Sequence, residues 1–305
     1  MQNSVNLCEL IEQFGSEQKC REYLEALRWP DRATCPRCGS QKTSQITKRN
    51  QFDCDACRYQ FSVTAGTIFN DSHLPLWKWF LCVYLLCESR TGMSANQIKR
   101  TLGISYKTAW YLCHRVRAAM KEANPQPLGG VVEIDETYVG GRNRGPGSRG
   151  RSQDNKEVVI GIKQRGGELR FFHAEDVKAG TLAKYIKENV SEDVEVIMTD
   201  EFPPYHHALD RTGHTCEKHQ TIRHKDGIYV DIDTTTNGIE SAFSLLKRGI
   251  IGTWHRISAK HLAAYLDETT FRFNNRKNPY LFRDTLLRLL SAPVLEYKEL
   301  TGEAA

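Results

Sequence analysis

The chain has 305 residues, of which 40% are hydrophobic, and a formal net charge of +5. It is long enough for one large domain with smaller modules, and apolar enough to exclude wholesale disorder. The mild positive balance is compatible with nucleic acid but does not establish binding. No apolar run reaches transmembrane length, and the N-terminus lacks a basic–apolar leader pattern. A cytoplasmic protein with no membrane partner is therefore expected.

Residues 1–30 read as helical. Ser16 suits an N-cap, and Cys20, Tyr23, Leu24 and Leu27 follow at helical spacing before Pro30. Next come Cys35-x-x-Cys38 and Cys54-x-x-Cys57, fifteen residues apart. Each pair is a tight turn that aims two sulfurs at one point, so four thiolates can close a tetrahedral site. One structural Zn²⁺ in a zinc ribbon over residues 31–70 is expected, with a disulfide or redox pair as the alternative. The cationic side chains of the ribbon, Lys42, Lys48, Arg49 and Arg58, suit nucleic acid or plain solvation equally well.

Residues 71–122 are helical in pattern. Pro75 opens one helix, and Gly103 separates two more, the second capped by Ser105. This is the layout of a helix-turn-helix, with residues 106–120 as the recognition helix. Tyr106, Lys107 and Thr108 would face base edges, while Arg115, Arg117 and Lys121 would meet phosphate. A generic three-helix packing unit gives the same pattern. Residues 123–130, with two prolines and two glycines, read as a linker.

The stretch Gly130–Gly141 has the composition of a buried strand, yet it carries Glu133, Asp135 and Glu136. Buried carboxylates require a partner, and a metal ion is a common one in enzymes. An edge strand with solvated acids is the alternative. Gly140–Lys156 is a glycine-rich basic loop, suited to solvent or to tracking a DNA backbone. Glu157–Gln164 and Glu168–His173 read as a hairpin, Thr181–Val190 as a helix, and Val194–Thr199 as a strand ending on Asp200. His214–His219 reads as a further strand. A helix begins near Asn237 and places Glu240 and Lys247 on one face, two turns apart, with Asn237 nearer the cap. Residues 258–276 form a last strongly helical segment. Together these describe a mixed α/β sheet with flanking helices, in which ligands gather at strand ends. Asp135, Asp200 and Glu240 could converge on one sheet edge and hold two hard cations, as phosphoryl transfer requires.

Several motifs then occur in one order: Leu27–Asp31 with the first cysteine knuckle, Glu133–Tyr138 with Gly140 and Gly141, and Thr199-Asp200. They continue with Thr236–Glu240, Lys247-Arg248, Gly252–His255, Lys260–Leu262 and Phe271–Arg276. In these the chain resembles the insertion-sequence transposases of the DDE type, in the ISXO-like group with an N-terminal zinc ribbon. The resemblance covers nearly the whole chain. It implies a ribonuclease-H-like catalytic core over residues 130–290, followed by a tail at 291–305. It also implies Asp135, Asp200 and Glu240 as catalytic ligands of two Mg²⁺ or Mn²⁺ ions, and Lys247 and Arg248 as DNA contacts. Related groups use Asn as the third ligand, which makes Asn237 a rival to Glu240. The implied activity is divalent-metal-dependent cleavage and strand transfer on element ends and target DNA, by a homo-oligomer assembled on DNA. A zinc-ribbon transcription regulator and a nuclease without strand transfer are the alternatives.

Overall fold

The first helices form where their caps dictate. In the computed structural model, which describes residues 5–140, 156–214, 216–222 and 236–302, α1 (Leu7–Phe14) starts from a capping box. The Asn6 side chain accepts from the Glu9 amide while the Glu9 carboxylate accepts from the Asn6 amide. Ser16 caps α2 (Glu17–Arg28) by accepting from the Lys19 amide, as its position predicts. The chain divides into two compact units, residues 1–120 with 277–305, and residues 121–276.

In the first unit, β1 (Thr43–Ile46), β2 (Gln51–Cys54) and β3 (Gln60–Phe61) form a small antiparallel sheet. Its apolar side is made by Trp29, Phe52 and Phe61, whose ring centroids lie 5.3–5.7 Å apart. Three helices follow: α3 (Leu76–Glu88), α4 (Ala95–Leu102) and α5 (Tyr106–Met120). Ser94 caps α4, and α4 stops at Gly103, whose φ of 59° is left-handed and so favours glycine. The Ser105 hydroxyl accepts from the Thr108 amide at 3.1 Å and starts α5.

The second unit is built on a five-stranded sheet. Its strands are β4 (Val131–Gly140), β5 (Lys156–Gln164), β6 (Leu169–Ala174), β7 (Val196–Asp200) and β8 (His219–Ile222), in the order β6-β5-β4-β7-β8. The first three pair antiparallel, while β7 runs parallel to β4 and β8 parallel to β7. The sheet is therefore mixed, as expected, and β4 lies at its centre. The strand expected over His214–His219 begins only at His219. His214 is instead buried, its Nδ1 paired with the Thr212 hydroxyl at 2.8 Å and its Nε2 with the Ser191 carbonyl at 3.2 Å. The basic loop predicted over Gly140–Lys156 lies outside the described residues, except that Gly140 and Lys156 pair across the two strands it joins.

Alternation along β4 sends its residues to two different cores. Val132 and Ile134 pack with α6 (Ala179–Asn189) and α7 (Pro204–Thr212) through Leu182, Ile186, Tyr205 and Leu209. Val139 lies on the opposite face, with α8 (Asn237–Gly249) and α9 (Ala259–Asn274) supplying Ile239, Phe243, Leu246, Leu262 and Leu266. Glu133 and Asp135 share that α8 face because each lies an even number of residues from Val139, whereas Glu136 shares the α7 face.

The last helices, α10 (Leu281–Ser291) and α11 (Tyr297–Thr301), belong to the first unit. Phe282 sits among Phe14, Phe80 and Tyr84, at centroid distances of 6.0, 5.7 and 6.4 Å. Residues up to 290 were expected with the α/β domain and 291–305 as a tail. The division falls at 276/277 instead, because the apolar stripe of α10 finds its aromatic partners on α1 and α3.

Gly161 on β5 pairs with Asp135 and lets α8 approach. A β-carbon there would lie 2.6 Å from Ile239 Cδ1 and 2.8 Å from Phe243 Cζ. Gly161→Ala is expected to destabilise the protein by about 1–3 kcal/mol through overpacking. The smaller gain from restricting the unfolded chain, about 0.4–1 kcal/mol, does not offset this, so thermal unfolding should show a lowered midpoint.

Candidate active site

The four ribbon cysteines converge. Their sulfurs all lie within 4.8 Å of one another, with Cys35–Cys57 at 3.7 Å and Cys38–Cys54 at 3.5 Å. A tetrahedron with Zn–S bonds of about 2.3 Å has sulfurs about 3.8 Å apart, so the cage matches that ion. Both knuckles are built alike. The Gly39 amide donates to the Cys35 carbonyl and the Arg58 amide to the Cys54 carbonyl, at 2.9 and 2.8 Å. Each knuckle ends on a left-handed residue, Gly39 at φ 72° and Arg58 at φ 57°. Among the described residues, this is the one group of three or more metal-ligating side chains drawn together in this way.

On α5, Tyr106, Lys107 and Thr108 are exposed in the first turn, with Tyr106 at 49%. The Lys107 ammonium lies 4.3 Å from the Tyr297 ring centroid, within cation–π range. Arg115 and Arg117 are placed otherwise than expected, at 3% and 1% exposure. The Arg115 guanidinium donates to the Asn70 carbonyl at 2.7 Å and stacks over Trp79 and Tyr111. Burial lowers its pKa from the usual arginine value. An arginine held in that way packs its helix and is not free to meet phosphate.

The acids of the second unit gather at the ends of two parallel strands. β4 and β7 pair in the register Val131↔Val196, Val132↔Ile197, Glu133↔Met198. Continued two residues beyond the last pair, the same register would set Asp135 level with Asp200. Glu240 lies in the first turn of α8, above the same face as Asp135. The acids feel one another. Burial first, then the charge of Glu136, pushes the Asp135 carboxyl up to about 7, and Asp200 and Glu240 add to the rise. The Glu136 amide opposes it by donating to Asp135 Oδ1 at 2.8 Å. Like charges so arranged call for a cation, and carboxylate oxygens suit a hard divalent one.

Each acid has its own support. Asp200 Oδ1 accepts from the Phe202 amide at 3.0 Å. The Thr236 hydroxyl donates to Glu240 Oε1 at 3.0 Å. Thr236 occupies the cap position of α8, and Asn237 is its first helical residue. The cap position expected near Asn237 therefore falls one residue earlier, and the Thr236 side chain makes no capping hydrogen bond. Lys247 and Arg248 are exposed in the last turn of α8, and Lys247 lies two turns from Glu240 on the same face.

Two further carboxylates acquire partners that their sequence does not name. Glu136, on the other face of β4, accepts from the buried Tyr205 hydroxyl at 2.7 Å. Burial raises the pKa of both groups, and their contact raises the phenol further. Glu133, at 2% exposure, accepts from the Ile239 amide at 2.8 Å and faces Arg165 Nε at 3.4 Å. The only signal of either role is that both residues are acids in an otherwise apolar strand.

Comparison with known proteins adds to this geometry. Residues 127–274 match the sequence profile described as an ISXO2-like transposase domain, and residues 15–60 match one described as a transposase zinc-ribbon domain. An uncharacterized protein in transposable element ISH50 of Halobacterium salinarum is 30% identical over 274 residues. The alignment covers 84% of this chain and 90% of that relative. The cysteine cage and the zinc-ribbon match together support one structural zinc. No described helix is long and apolar enough to cross a membrane.

Metal analysis of the purified chain is expected to give about one zinc per molecule. Replacing Cys35 or Cys54, the two buried ligands, should remove the metal and make residues 31–65 protease-sensitive, because structural zinc contributes folding energy directly. Full protection of that segment in a zinc-free protein would contradict the assignment.

Proposed function

The chain belongs to the ISXO2-like transposase family, and from that premise we propose that it binds the ends of an insertion sequence, cuts there and joins the freed end to target DNA. The observation that carries this reading is the β4–β7 register, which continued by two residues would set Asp135 level with Asp200, together with Glu240 in the first turn of the helix over that face. The mixed sheet with helices on both faces supports a ribonuclease-H-like core for residues 121–276.

Asp135, Asp200 and Glu240 would hold a pair of Mg²⁺ or Mn²⁺ ions, which when bound supply charge neutralisation and activation of the attacking oxygen. In the first step a water oxygen attacks phosphorus in line, the P–O3′ bond breaks, and a 3′-hydroxyl leaves. In the second step that hydroxyl attacks a target phosphate, one P–O bond forms, and the target's own 3′-oxygen departs. Both steps exchange one oxygen for another at phosphorus, so one constellation serves both. The chain's part is to hold the reacting phosphate in place. Lys247 offers a point charge two turns from Glu240, and Arg248 can grip a neighbouring phosphate with its planar fork.

Recognition of the ends falls to the first unit. The pair α4–α5 would act as a helix-turn-helix, with Tyr106, Lys107 and Thr108 at base edges. Arg115 and Arg117 are left out of this surface because they are buried. The zinc ribbon stands as an accessory DNA contact.

The test is a supercoiled plasmid carrying the element ends, incubated with Mg²⁺ or Mn²⁺. Asp135→Asn, Asp200→Asn and Glu240→Gln should each lower cleavage and joining by about 10³-fold, the factor for ~4 kcal/mol of lost transition-state stabilisation. Binding to the ends should persist. Cleavage without joined product would mark a nuclease, and retained activity in Glu240→Gln would pass the ligand role to Asn237.

DNA binding divides along the same lines. Lys107→Ala should reduce discrimination between element ends and random DNA, as loss of a base contact does. Lys247→Ala should weaken both alike and reduce the salt slope of binding by about 1. Arg115→Ala should lower the unfolding midpoint and leave that slope unchanged.

A further inference from the structure

The first turn of α8 is fastened to the sheet by the Glu133 carboxylate. Glu133 Oε2 accepts the Ile239 amide at 2.8 Å, and Ile239 directly precedes Glu240. Two residues along β4, on the same face, stands Asp135. Asp135 and Glu240 are thus linked through two strand residues, one hydrogen bond and one peptide unit. The other oxygen of Glu133 faces Arg165, whose Nη2 also reaches the Met198 sulfur on β7 at 3.2 Å.

The surroundings are shaped for this contact. A β-carbon on Gly238 would lie 2.5 Å from Glu133 Oε2 and 2.6 Å from Lys163 Nζ, so any larger residue at that position would push on the Glu133 carboxylate and the Lys163 ammonium. Thr236, at the cap position, supplies no side-chain cap to the helix amides; its hydroxyl turns to Glu240 instead. A carboxylate from another element takes over, where the positive end of the helix dipole favours one. The rest of the docking is apolar, through Ile239, Phe243 and Leu246. Apolar contact is non-directional and fixes no register along the helix axis. A hydrogen bond is directional and does.

We propose that Glu133 is a positioning residue: it sets the axial register of α8, and through it the place of Glu240 relative to Asp135. The inference rests on the catalytic reading of those acids. It couples two motifs about a hundred residues apart, since the first Glu of the β4 motif binds the backbone of the α8 motif.

The experiment uses the full chain and Mn²⁺ as the probe. Mn²⁺ affinity is measured by titration calorimetry, and exchange of the Ile239 amide by hydrogen-exchange NMR. Glu133→Ala should weaken Mn²⁺ binding by about 10- to 100-fold, the usual effect of removing a group that orients a ligand, and should speed exchange at Ile239. Glu133→Gln retains an acceptor oxygen and should recover part of the affinity and of the protection. Leu182→Ala, a cavity in the opposite core, should lower the unfolding midpoint without moving either readout. Unchanged Mn²⁺ affinity in Glu133→Ala overturns the proposal, and so does a loss that Leu182→Ala reproduces or that Glu133→Gln does not relieve. A wild-type chain that binds no Mn²⁺ at all overturns the catalytic reading itself, a different and distinguishable result.

Discussion

The seating of α8 on the face of β4 and β5 is the contact on which the second unit depends. Gly161 clears space for Ile239 and Phe243, and Gly238 clears space for Glu133 and Lys163. Adding a β-carbon at either glycine would force heavy atoms closer than 3 Å. The helix therefore meets the strand backbone at close range, and its first turn comes within hydrogen-bonding reach of a strand carboxylate. The apolar stripe supplies the free energy of docking and the Glu133 contact supplies its register. An acid in the first turn of that helix is thereby held near the acid on the strand.

That arrangement places negative charges close together, and the molecule separates them by purpose. β4 carries three acids in four residues, and the pleat divides them between two faces. Glu133 is paired with Arg165 and a helix amide. Glu136 is held by Tyr205 on the opposite side. Asp135 is driven up to about 7 by burial and by its neighbours. One strand thus turns two of its acids into supports and leaves the third to interact with Asp200 and Glu240. The partners of the supports come from the turn after β5, from α7 and from α8, so the division exists only in the folded sheet.

The first unit shows how a charge can mislead. Arg115 and Arg117 lie in the basic stretch of α5 that suggests a nucleic-acid surface. Their neighbours at helical spacing, Leu112, Cys113, Val116 and Met120, are all buried. Arginine can enter such an interface because its stem is apolar and its planar head stacks on aromatic rings, as over Trp79 and Tyr111. Exposed Tyr106, Lys107 and Thr108 lie one turn or more before these arginines, where the helix emerges from its cap.

The sequence by itself determined what depends on local chemistry and on spacing. The Cys-x-x-Cys pairs specify a four-sulfur cage, because each tight turn aims its own sulfurs whatever surrounds it. Ser16, Ser94, Ser105 and Gly103 marked helix ends, because caps and left-handed turns are satisfied within a few residues. The apolar runs and turn signals between Gly130 and Asp200 made a mixed sheet legible. The tertiary structure alone decided which β4 acid faces which helix, that Thr236 rather than Asn237 holds the cap position, and that α10 leaves the α/β unit for the aromatic cluster of Phe14, Phe80 and Tyr84. It also decided that two arginines are packing groups. Each of these outcomes depends on partners distant in the chain, and burial is a property of those partners rather than of the residue buried.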